Sequence, residues 1–182
     1  MSKPYVDIDA IRATQDAVAK EPALGRVTFN LQGKSSGGLA FAGVTGPLVQ
    51  NGQADDSRRG KFTLVSDEPA SLLGGDTGVS PAEYLLQGLA GCYTVTLASM
   101  AASKGIALDN IELNLGFDID LNGFLGLDDT VRKGAQGISV DVRLESASAS
   151  RAELEELVRE LPQNSPIHDT LANPVNVTAR LA

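Results

Sequence analysis

Residues 80–106 read SPAEYLLQGLAGCYTVTLASMAASKGI. Ser80 followed by Glu83 forms a capping-box pattern, and Pro81 suits the first helical position, so a helix opens here. Gly105 supplies its C-terminal stop. Glu83 is the only charged residue from Pro81 to Ser103. A helix apolar on most sides must be enclosed by its own chain or by a partner. Its length approaches the ~20 residues that span a bilayer. Gln87, Thr94, Thr96 and Ser99 lie inside it, however, and its flanks lack the Lys/Arg asymmetry of a membrane segment. The sole cysteine of the 182-residue chain, Cys92, sits near its middle.

Composition narrows the function classes. A length of 182 residues suits one domain, with 42% hydrophobic residues for a sizeable core and no tryptophan. The net charge of −8 argues against nucleic acid, because phosphate contacts need clustered Lys and Arg. The one basic cluster, Arg58–Arg59–Gly60–Lys61, comes just after Asp55 and Asp56. One cysteine excludes an in-chain disulfide and thiolate metal sites, so no metal and no cofactor is expected. The N-terminal MSKPYVDIDAIRA has no apolar core of a signal peptide, and a lone thiol fits a reducing compartment; the expected location is cytoplasmic.

Outward from the cysteine helix, periodicity predicts the other elements. Residues 7–20 read as a short amphipathic helix ended by Pro22 and Gly25. RVTFNLQ alternates, with Val27, Phe29 and Leu31 on one half-buried side. SSGG turns into the strand LAFAGV, residues 46–60 form a loop or hairpin tip, and KFTLVSDEP is a strand stopped at Pro69. LLGGDTGVS is a Gly-rich loop without a phosphate-binding fingerprint. NIELNLGFDIDL and GISVDVRLE alternate clearly, with a loop between them. Ser150 and Glu153 open a helix that Pro162 ends, with Glu155 and Arg159 paired along it. PQNSPIHDTLANP is a loop, and VNVTARL is a final strand. Strands in adjacent runs predict an α+β fold with antiparallel pairing. The domain organisation is one domain over 1–182. An arm occupies 1–25, a β-meander 26–70, and residues 80–182 carry the cysteine helix, two strands, the second-site helix and the final strand.

PAEYLLQGLAGC resembles the cysteine-bearing helix of the OsmC/Ohr family of thiol-dependent hydroperoxide-handling proteins. SPIHDTLANPVNV is similar to that family's second-site segment and last strand, and the resemblance covers roughly residues 5–182. It implies an intertwined homodimer, with curved antiparallel sheets wrapped around long central helices and active sites at the subunit interface. The apolar helix is then the dimer's core, with Gly88 and Gly91 permitting close helix approach. It also implies that Cys92 stands where the peroxidatic cysteine attacks a small organic hydroperoxide and becomes a sulfenic acid. Ser165 stands where the family's resolving cysteine condenses with it. A serine cannot form that disulfide, so an external thiol must act as reductant.

Apolar surroundings favour a protonated thiol, and a helix dipole fades within its first turn. A cation is therefore needed. Relatives use an arginine, for which Arg58 is the first candidate, with Arg59, Arg26 and Arg180 beside it. Relatives hold that arginine with a glutamate of the cysteine helix. Glu83, nine residues before Cys92, falls on the opposite side at ~100° per residue and reads as a capping residue. Three readings stay open: a hydroperoxide peroxidase, a non-catalytic stress-related binder holding an apolar ligand in the interface pocket, and a Cys–His hydrolase using His168. Cys92 itself reads as nucleophile or as a small core residue, and His168 as a loop histidine.

Overall fold

A computed structural model of the protein describes residues 5–181. They divide into two compact units, residues 9–85 and residues 86–181 with 5–8.

In the first unit, α1 (Ile8–Lys20) forms as its amphipathic pattern predicts, but none of its residues is buried. Six short strands come next: β1 (Val27–Thr28), β2 (Leu31–Gly37), β3 (Ala40–Thr45), β4 (Leu48–Gln50), β5 (Gln53–Asp55) and β6 (Thr63–Ser66). They make two antiparallel three-stranded sheets, ordered β1-β4-β5 and β2-β3-β6. The predicted single strand RVTFNLQ is thus broken at Phe29–Asn30. Asn30 Nδ2 donates to the Pro47 carbonyl and Gly46 N donates to the Asn30 carbonyl, which turns the chain from one sheet into the other. Val27, Phe29 and Leu31 are exposed rather than half-buried. The tip at 46–60 is the β4–β5 hairpin, whose Asn51 and Gly52 have φ of 49° and 74°, the positive values of a type I′ turn.

The Gly-rich loop before the cysteine helix folds around Asp67, which is 2% exposed. Its carboxylate accepts from the N–H groups of Glu68, Gly75 and Thr77 and from Thr77 Oγ1 at 2.8–3.2 Å. The Thr77 hydroxyl above all, together with those backbone donors, holds the Asp67 carboxyl below the usual carboxylate range against the opposing effect of burial. The glycines allow close approach: a Cβ at Gly78 would lie 2.6 Å from the Val65 carbonyl oxygen.

The second unit is built on α2 (Pro81–Ser103), whose first turn belongs to the preceding unit. Ser80 Oγ accepts from Glu83 N, and Glu83 Oε2 accepts from Ser80 N, so the capping box forms. The hairpin of β7 (Asn110–Asp118) and β8 (Gly137–Glu145) pairs Ile111 with Leu144, Leu113 with Val142, Leu115 with Val140 and Phe117 with Ile138. The apolar alternation thus points one face of the ladder at a common core. That core joins Leu89, Tyr93, Leu97 and Ala101 of α2 to Leu157 and Leu161 of α4 (Arg151–Asn164). Leu97 and Leu157 are fully buried, each gaining about 1.5–3 kcal/mol over exposure. Burial of these side chains gives α2, long and apolar enough to cross a membrane, a protein core on that side.

Four local expectations are corrected by the structure. β7 stops at Asp118 because Asp120 caps a one-turn helix, α3 (Leu121–Phe124), through its bond from Asn122 N. Pro162 does not end α4; it lies in the last turn, and the helix runs to Asn164. Glu155 pairs with Arg151, while Arg159 pairs with Glu156, since both arginines find a closer carboxylate. VNVTARL forms no strand: residues 174–181 are exposed and pair with no strand among the described residues. The reading of the first residues as lacking a signal peptide falls, for 1–4, outside the described residues.

Candidate functional site

The segment predicted as a polar loop after α4 is a helix, α5 (Pro166–Ala172). Pro166 occupies its first position with a preset φ, and Ser165 caps it by accepting from His168 N at 3.3 Å. Ser165 also closes α4, donating its N–H to the Leu161 carbonyl. One buried serine, 2% exposed, therefore forms the corner between two helices. The signal lies in the sequence, because S-P ahead of an acidic residue is a helix start. The polar residues of the segment mask it.

The corner meets α2 at Cys92. Cys92 Sγ lies 3.1 Å from Ser165 Oγ, within hydrogen-bond range for sulfur, and either group can donate. Cys92 is half-buried, so its sulfur is neither sealed in the core nor fully open. The two residues expected at the first and second sites of the family are thereby brought together.

One residue further along α2, Tyr93 is buried and reaches the same helix α5. Its Oη lies 2.6 Å from His168 Nδ1, and the two rings stack at 6.0 Å with an interplanar angle of 15°. Burial, helped by the nearby Cys92, pushes the Tyr93 hydroxyl above its ordinary value, so the phenol keeps its proton at neutral pH. His168 is consequently not a free loop residue. Its Nδ1 is taken by Tyr93 and the nearest polar partner of Cys92 is Ser165, so no direct Cys–His hydrogen bond forms. Sequence reasoning missed Tyr93, which reads as one more core aromatic on α2; only the tertiary meeting of α2 with α5 gives its hydroxyl a partner.

The arginine candidates divide. Arg59 is held by Asp56 through Nε and Nη2 at 3.0 and 2.7 Å. Arg58 makes no ion pair of this kind among the described residues; its guanidinium lies 5.2 Å from the Phe62 ring centre, in the first unit. Arg26 is exposed beside the start of β1, and Arg180 is exposed in the terminal segment. Glu83 is committed to its cap, and the Ser80 N–H, then the Ser80 hydroxyl, holds its carboxyl below the usual range. On α2 the side carrying Gly88 and Gly91 is open: nothing lies within 4 Å of a Cβ built at either glycine. Val95 on this side is 64% exposed.

Comparison with known proteins bears on the fold and the family. A solved OsmC-like protein from Mycoplasma pneumoniae superposes with a TM-score of 0.61 at 20% identity, covering 80% of this chain and 87% of its own. An organic hydroperoxide resistance protein OsmC from Legionella pneumophila gives 0.56 at 18%, over 79% of this chain and 88% of its own. An organic hydroperoxide resistance protein from Elizabethkingia anophelis gives 0.54 at 16%, over 78% and 86%. Among curated proteins none matches. These likenesses give the fold, mixed α+β with antiparallel sheets. The family model described as OsmC-like protein matches residues 74–180. That span holds Cys92, Ser165 and both helices that join them, and it exceeds half of the sequence: the chain belongs to the OsmC-like family.

Proposed function

We propose that this protein is a thiol-dependent peroxidase for small organic hydroperoxides, acting as a cytoplasmic homodimer in one OsmC-like domain. The observation that carries the reading is the meeting of Cys92 Sγ with Ser165 Oγ at 3.1 Å, at the positions where the family resemblance puts the attacking and resolving residues. The names of two structural relatives, organic hydroperoxide resistance proteins, support the same substrate class. The Cys92 thiolate attacks the distal peroxide oxygen; the O–O bond breaks, sulfur becomes a sulfenic acid, and the alkoxide takes up a proton to leave as an alcohol. The guanidinium of Arg58, the less engaged of the two adjacent arginines, stabilises the thiolate and the departing oxygen, reaching the sulfur from its own or a second copy. The open glycine side of α2 is the surface the second copy covers. Ser165 gives the sulfur a hydrogen bond but no disulfide. An external thiol then attacks the sulfenic sulfur, releasing water and leaving a mixed disulfide that a second thiol reduces.

A second reading has one observation in its favour. Cys92 is the only cysteine, so no thiol of the same chain can complete a cycle. A non-catalytic protein that holds an apolar ligand in the interface pocket needs no such thiol.

Intact mass spectrometry after an equivalent of cumene hydroperoxide tests the first reading. A single-oxygen adduct formed with release of one equivalent of cumyl alcohol, absent in Cys92→Ser and removed by added dithiol, is the expected result. An unmodified Cys92 after excess peroxide overturns it and leaves the binder.

A further inference from the structure

Beside Tyr93 and His168 lies a cavity of about 250 Å3 that the peroxide chemistry does not use. Its walls come from α2, the start of β8 with the turn before it, and α5. Leu89, Ile138, Val140 and Leu171 give it an apolar floor. Polar groups converge on it from two sides. One is the Tyr93–His168 pair; the other is Arg132. Drug-sized ligands occupy roughly 300–1,000 Å3, so this space takes a smaller molecule.

Arg132 is held for the task. It stands on the turn ahead of β8, where Gln136 Nε2 donates to the Arg132 carbonyl at 3.1 Å. Behind it, buried Gly123 packs on the backbone, so closely that a Cβ there would lie 2.6 Å from the Arg132 carbonyl oxygen. The backbone is thus fixed while the guanidinium forms no ion pair among the described residues. On the other side, the Tyr93 hydroxyl and His168 Nδ1 hydrogen-bond at 2.6 Å. With Nδ1 engaged by the Tyr93 hydroxyl, Nε2 is the ring nitrogen left to meet a ligand in the cavity. A permanent cation, an imidazole nitrogen and an apolar floor describe the complement of one molecule: a small anion with an apolar body.

We infer that the cavity between α2, β8 and α5 is a binding site for a small monocarboxylate with an apolar body, its carboxylate held by Arg132 and His168 Nε2 and its hydrocarbon part on Leu89, Val140 and Leu171. A carboxylate accepts from guanidinium and imidazole at once, whereas a hydrated inorganic anion leaves the floor unfilled. The site does not depend on the reactivity of Cys92, and its test is independent of the peroxidase reading.

Benzoate and its neutral isostere benzamide are the probes, titrated into the intact protein by calorimetry and by 1H–15N and imidazole NMR. Saturable benzoate binding that shifts the His168 ring signals is expected, with benzamide about tenfold weaker. Arg132→Gln, an exposed substitution that leaves the core untouched, lowers benzoate affinity about tenfold or more, the worth of one charge-assisted hydrogen bond. Equal binding of the two probes, an Arg132→Gln affinity within twofold of the parent, displacement of benzoate by an equal concentration of inorganic phosphate, or no saturable shift at His168 overturns the assignment.

Discussion

Ser165 Oγ stands 3.1 Å from Cys92 Sγ although 73 residues separate them in the chain. A disulfide needs sulfurs ~2.05 Å apart with Cβ atoms about 3.5–4.5 Å apart, a small adjustment from this contact. In Ser165→Cys, one equivalent of peroxide or diamide therefore yields an intramolecular disulfide, seen as the loss of two hydrogens in the intact mass. The parent protein under the same treatment gives no such species. Failure of the variant to cross-link while folded shows that the two positions do not share a redox site.

Tyr93→Phe removes the hydroxyl that bonds His168 Nδ1 and leaves a half-buried ring nitrogen unpaired. A loss of about 1 kcal/mol in urea denaturation is expected. The parent also carries an alkaline signature. A phenol raised above its unfolded value holds its proton longer in the native state. Stability is therefore full below about pH 10 and falls as pH rises through the folded value. Ultraviolet titration shows a late-ionising tyrosine that Tyr93→Phe lacks.

Asp67 predicts the opposite pH response. Its carboxyl is held low by Thr77 and the loop N–H groups, so at neutral pH it contributes stability that the unfolded chain lacks. That contribution is complete above an ordinary carboxylate value of about 4 and disappears as pH falls through the depressed one. Asp67→Asn lowers the thermal midpoint at pH 7 and flattens the acid limb below about pH 4. Circular dichroism melts across that range check it; an unchanged acid limb removes Asp67 as its source.

Gly123→Ala tests the platform behind Arg132. The new methyl meets the carbonyl oxygens of Val131 and Arg132 at 2.6 Å, far inside contact. Backbone must shift, at about 1–3 kcal/mol. Denaturant midpoints report the loss, and benzoate titration of the folded variant reports whether Arg132 has moved.

The sequence carries α2 almost to the residue, because Ser80, Pro81, Glu83 and Gly105 mark its ends with local chemistry. β7 and β8 are equally visible, since Ile111 to Phe117 and Ile138 to Leu144 alternate without interruption and pair in register. Breaks set by tertiary bonds are not: Asn30 divides one predicted strand only because Gly46 and Pro47 return to it. Asp67 reads as the end of a strand, though its four donors come from up to ten residues away. The family resemblance singles out Cys92 and Ser165, but their 3.1 Å contact across 73 residues is visible only in the fold. His168 reads as a loop residue without a partner, since its partner Tyr93 lies 75 residues earlier. Arg132 is silent in the sequence, as nothing local distinguishes it from any other loop cation.

Ser165 ends α4, begins α5 and touches the sulfur, so it has no rotamer to spare. An oxygen or a thiol added to Cys92 on that side competes for the hydroxyl that also caps α5 through His168 N. Tyr93 and His168 meet one residue further along α2, so α5 is tied to the cysteine helix at two adjacent points.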